Sequence, residues 1–160
     1  MEPVSLDELA DAAGQRWTAA SRRPVGVEAP DPVWVLGDEQ RLRHAVDALV
    51  ENALNATGPG DRVMIAARVR DRRAELVVAD TGIGVAAADA ELIFERFVRG
   101  PCTAGRSGTG LGLAIVKAIT EAHGGTVSLT GGPGAGATFT LSFAPLLPVG
   151  RPLRSRVALR

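Results

Sequence analysis

Residues 105–116, GRSGTGLGLAIV, constrain this chain more than any other stretch. Glycines at 105, 108, 110 and 112 stand directly before an apolar run that reads as a helix. So dense a set of glycines packs poorly in a core. It suits a phosphate cradle, because a backbone without Cβ atoms approaches an anion closely and aims N–H groups at it. The positive N-terminal end of the helix that follows adds to the preference. A flexible loop before a helix is the plain alternative, and the rest of the chain decides between them.

With 160 residues, 46% hydrophobic and 22% charged, the sequence reads as one globular domain able to bury a core. Its 18 basic and 18 acidic residues balance, so no net field draws it to nucleic acid or to an anionic membrane. A specific ligand fits better than a polyanion. The lone Cys102 cannot form an internal disulfide, which suits a reducing cytosol. No apolar run is long enough to cross a bilayer, and the mixed, acidic start MEPVSLDELADAAG does not read as a signal peptide. A cytoplasmic location is expected.

In chain order, Ser5 is placed to cap a helix with Glu8 as its partner, and that helix should end before Pro24. Residues 25–29 and 33–36 read as short strands, with Pro30 and Pro32 turning the chain between them. Asp38 then caps a longer helix whose apolar residues Leu42, Val46, Leu49, Val50 and Ala53 share one face. On the flank of that stripe lie Ala45, Ala48, Asn52 and Asn55. A carboxamide at such a boundary is either a satisfied structural group or a hard oxygen ligand of the kind Mg²⁺ prefers.

Two β-runs, 62–69 and 74–79, form a hairpin whose second arm leads into Asp80-Thr81-Gly82-Ile83-Gly84. Asp80 is either a turn former or, with glycines letting the chain fold over a ligand, an acceptor for an exocyclic amine such as adenine's. Gly82, Gly84 and Ala87 also fit a loose dinucleotide pattern, but antiparallel-looking strands precede them rather than a βαβ unit, and GxxxxGK[ST] does not occur. Phe94 and Phe97 follow in a short amphipathic turn. Arg99 and Arg106 sit in a polar stretch where a lid could carry cations to phosphates. The helix from Leu111 ends at His123-Gly124-Gly125, a glycine C-cap, so His123 reads as a cap rather than a catalytic base. Strands at 126–130 and 138–143, joined by GGPGAGA, complete residues 1–145 as one domain. Residues 146–160, with Arg151, Arg154, Arg156 and Arg160, form a basic tail.

ALVENA (48–53), DTGIG (80–84), FERF (94–97) and GTGLGL (108–113), followed by HGG (123–125), resemble in order the N, G1, F and G2 boxes of the ATP-binding catalytic domain of bacterial sensor histidine kinases. That family is grouped with DNA gyrase, the ninety-kilodalton heat-shock chaperones and the mismatch-repair ATPases. The resemblance implies an α/β two-layer sandwich, a mixed sheet of about five strands under three helices, with a nucleotide lid. It implies ATP and Mg²⁺ as ligands, Asn52 on the metal, Asp80 on the adenine amine, and Gly82 and Gly84 shaping the base pocket. Gly108, Thr109, Gly110, Leu111 and Gly112 would surround the phosphates, with Asn55, Arg99, Arg106 and Thr138 also at the nucleotide and Phe94 and Phe97 anchoring the lid.

The chain departs from the family pattern at three places. Ala48 stands where relatives carry an Asn or a catalytic Glu, which disfavours an autonomous ATPase. Asn55 and Ala56 replace a frequent basic–aromatic pair. His44 and His123 lack the context of a phosphoacceptor, so the resemblance implies transfer to a histidine on a dimerisation domain in cis or in trans, with a response regulator downstream. A serine kinase of the anti-sigma-factor type and a non-catalytic nucleotide-binding module are the alternative expectations.

Overall fold

The computed structural model describes residues 1–95 and 112–146. Phe97, Arg99, Arg106, Gly108, Thr109, Gly110 and Leu111 lie outside these residues, as does the tail from 147 onward.

Helix α1 spans Leu6–Ser21 and is capped by Ser5, whose hydroxyl accepts from the Glu8 amide at 3.3 Å. Helix α2, Glu39–Asn55, begins at Asp38, which accepts from the Arg41 amide at 3.0 Å. That bond holds the Asp38 carboxyl below its ordinary pKa. Along α2 the buried positions are 42, 45, 46, 49, 50 and 53, the stripe that a 3.6-residue period sets against a core. Helix α3, Gly112–Ala122, packs on α2.

Five strands form the main sheet: β2 (Val25–Glu28), β4 (Val63–Arg70), β5 (Arg73–Asp80), β6 (Thr126–Gly131) and β7 (Ala137–Phe143). Their order is β2-β4-β5-β7-β6, with β2 parallel to β4 and every other pair antiparallel. Alternate residues point to one face, so Ile65, Leu76, Val78, Phe139 and Leu141 are buried against the helices. Each such side chain contributes roughly 1.5–3 kcal/mol on burial. The layer is thus a firm base for whatever its strand ends carry.

The mixed sheet under three helices agrees with the sequence reading, and both proline-flanked strands form, in different sheets. Trp34–Gly37 (β3) does not join Val25–Glu28; it pairs antiparallel with Glu2–Ser5 (β1) in a separate two-stranded sheet. A bond from the Leu6 amide to the Val33 carbonyl, 2.7 Å, ties that small sheet to the start of α1.

Candidate nucleotide site

On β5 the residues facing the helices are Ala74, Leu76, Val78 and, last in the row, Asp80. A carboxylate therefore occupies a core position at the strand's end. Asp80 is only 6% exposed. Its Oδ1 accepts from the Gly82 amide at 2.9 Å, whereas Oδ2 is buried and has no hydrogen-bond partner among the described residues. Burial raises the Asp80 pKa, and the amides of Gly82 and Ala137 offset this only in part. A buried acceptor lone pair left without a donor is costly, about 1–3 kcal/mol. Such an atom fits a ligand that brings an N–H donor into the core's edge.

The loop after Asp80 is held by backbone contacts on two sides. On one side the Ile83 amide donates to the Ala56 carbonyl at 3.2 Å, and a Cβ on Gly82 would stand 2.1 Å from that oxygen. No side chain fits there. On the other, the Ile83 carbonyl accepts from Gly134 at 2.8 Å, and Gly84, at φ +72°, would bring a Cβ within 2.0 Å of the Gly132 carbonyl. The β6–β7 turn thus braces the Asp80 loop, a role the sequence reading did not assign to GGPGAGA. Its density of glycine is the signal that another backbone comes close.

The last turn of α2, which carries the end of its asparagine flank, meets this loop at Ala56. Along that flank burial decreases from Ala45, fully covered, through Ala48 and Asn52, half-buried, to Asn55, exposed. Gly112 opens α3, which packs along α2. Phe94, in the 3₁₀ turn Leu92–Phe94, sits edge-on to Phe139 with ring centroids 5.9 Å apart. Together with Glu95, Ala114, Lys117, Ala118 and Glu121 it lines an open cleft of about 400 Å³ beside α3.

Thr138 is not brought to this group. It pairs with Ala79, whereas Ala137 pairs with Asp80, and neighbouring residues of a strand face opposite sides. Ala137, not Thr138, shares Asp80's face. His123 sits at the far end of α3: its Nδ1–H donates to the Ile119 carbonyl at 2.7 Å and Nε2 accepts from the Asp38 amide at 3.0 Å. Both ring nitrogens serve backbone, as the capping role requires.

Residues 37–147 match the family described as histidine kinase-, DNA gyrase B-, and HSP90-like ATPase. The chain belongs to that family. Within this ATPase family its likeness is to the ATP-binding catalytic domains of sensor histidine kinases. The sensor-like histidine kinase SenX3 of Mycobacterium tuberculosis is 40% identical over 152 residues, which cover 92% of this chain and 37% of SenX3. The chain therefore spans little more than a third of that relative. Among solved structures, the mycobacterial sensor histidine kinase MprB superposes with a TM-score of 0.82 at 32% identity, covering 90% of this chain and 98% of that one. Full-length ShkA, solved in complex with AMPPNP, gives 0.76 at 30% identity over 92% of this chain and 32% of its own. Among the described residues no helix is long and apolar enough to cross a membrane.

Proposed function

We propose that this domain binds Mg·ATP and transfers the γ-phosphoryl group to a histidine on a dimerisation and phosphoacceptor domain, in cis or in trans, as a step of two-component signalling. The buried, unpartnered Oδ2 of Asp80 supports this most directly, because it is the acceptor that an adenine amine requires. In this reading Gly82 and Gly84 shape the base pocket. Asn52 supplies an oxygen ligand to Mg²⁺, Asn55 stands at the same helix end, and Gly112 with residues 108–111 surrounds the phosphates. Phe94 and Phe97 anchor the lid that carries Arg99 and Arg106. The ion, when bound, neutralises phosphate charge during transfer.

In the transfer the bond between the γ-phosphorus and its bridging oxygen breaks, a phosphorus–nitrogen bond forms on the acceptor imidazole, and ADP leaves. Ala48 offers no base on the asparagine flank of α2, so the imidazole proton goes to a group on the acceptor side. The chain's own share is positioning and electrostatics. The direct test mixes this chain, γ-labelled ATP and the histidine-bearing domain of a similar sensor kinase. An acid-labile phosphoprotein is expected, and Asn52→Ala, which removes the side-chain oxygen, should cut its formation at least tenfold. An acid-stable product, or undiminished transfer by Asn52→Ala, would overturn the assignment.

A further inference from the structure

Arg23 lies on the connection between α1 and β2, remote in sequence from every glycine-rich box, yet its guanidinium reaches across to the end of α2. Its Nη1 donates to the Leu54 carbonyl at 3.2 Å, and its Nη2 donates to the Thr57 hydroxyl at 2.8 Å and to the Gly58 carbonyl at 3.3 Å. These acceptors lie on both sides of Ala56. Helix α2 has no basic residue in its own last turn, where exposed carbonyls and the negative end of the dipole favour a cation. Arg23 supplies that cation from another element. Among the described residues it forms no ion pair with a carboxylate, so its donors are committed to this segment.

The segment it fixes is the one on which the Asp80 loop rests. The Ala56 carbonyl takes the Ile83 amide and leaves no room for a Cβ on Gly82, and the Gly82 amide in turn holds Oδ1 of Asp80. Such contacts pass a displacement on rather than absorb it. We propose that Arg23 is a positioning residue for the adenine end of the site, setting the aim of the Asp80 carboxylate through Ala56 and Gly82. The inference rests on the adenine-nucleotide reading given above.

A residue that only stabilises the fold would weaken all nucleotides alike. Arg23 should instead affect what depends on the 6-amino group. The test titrates wild type, Arg23→Ala and Arg23→Lys with ATP and with purine riboside triphosphate, which lacks that amine, and follows thermal midpoints in parallel. Wild type is expected to prefer ATP. Arg23→Ala should lose about tenfold in ATP affinity with little change for the analogue, as misdirection of one charge-assisted hydrogen bond implies. Arg23→Lys should lose less, because an ammonium keeps the charge but cannot span three acceptors; it also carries the test should the alanine variant not fold. An equal loss for both nucleotides, or a lowered midpoint with the ATP-to-analogue ratio unchanged, would overturn the proposal. A wild type that does not distinguish the two nucleotides would refute the adenine reading itself, and the role of Arg23 with it.

Discussion

Asp80 places a buried carboxylate where every neighbour in its row is apolar, and its pKa is raised above the ordinary 3.8 chiefly by loss of solvation, with Asp61 adding to the effect. The sign of two pH dependences follows. A raised pKa means that the folded state binds the proton more tightly than the unfolded chain does. Stability from Asp80 is therefore present below the unfolded value and is lost as pH rises through the folded one. Binding runs the other way, because a protonated carboxyl no longer offers a free acceptor to an amine. Nucleotide affinity should therefore fall as pH falls through a midpoint above 3.8, while the free domain gains stability from Asp80 over the same interval. Titration and denaturant unfolding across that range, on wild type and Asp80→Asn, check both; slopes that survive in the variant would assign them to other groups. The sequence offers this residue as a candidate, a carboxylate between a β-run and two glycines, and leaves it open between a turn former and an amine acceptor. It does not show which neighbour shares its face. Thr138 and Ala137 differ by one step of register, and a single step moves a side chain to the opposite side of the sheet.

Among the elements, α2 and α3 form a unit closed at the end away from Asp80. The amides of Gly124 and Gly125 return to Glu121 and Thr120, each at 2.9 Å, with Gly124 at φ +68°. This is a Schellman cap, and His123 extends it to the start of α2 through Asp38. Replacing His123 by Ala removes the acceptor for the Asp38 amide and the edge contact with Phe143, whose ring lies 6.4 Å away. Urea unfolding should show a loss of about 1–2 kcal/mol, since a partly buried donor is left without its partner; a change within experimental error would mean that water replaces the ring. Helical periodicity and the HGG stop make these two helices legible. The small sheet of β1 and β3 is not, because strands of four residues do not reveal their partners and Pro3 lies inside β1. The bracing of the Asp80 loop by the β6–β7 turn is equally hidden: two backbones that approach closely leave only glycines in each sequence, with nothing to pair one run with the other.

Across the whole molecule, the sheet and its three helices form a base whose one polar interruption in the β5 row is Asp80, with the end of α2 and the β6–β7 turn packed around its loop. The family match spans residues 37–147 and the likeness to MprB covers 90% of the chain, and the order of the four boxes allows that family to be read from sequence. The chain spans only 37% of SenX3, and the phosphoacceptor histidine we propose lies beyond the domain described. The central claim, an adenine-nucleotide site built on Asp80, is tested most directly by calorimetric titration of the chain with AMPPNP and Mg²⁺, beside Asp80→Asn, near neutral pH. The account predicts saturable binding by wild type and at least tenfold weaker binding by the variant, in line with the roughly 1.5–3 kcal/mol of a hydrogen bond to a charged acceptor. Equal affinities, or no binding by wild type at millimolar nucleotide, would contradict it.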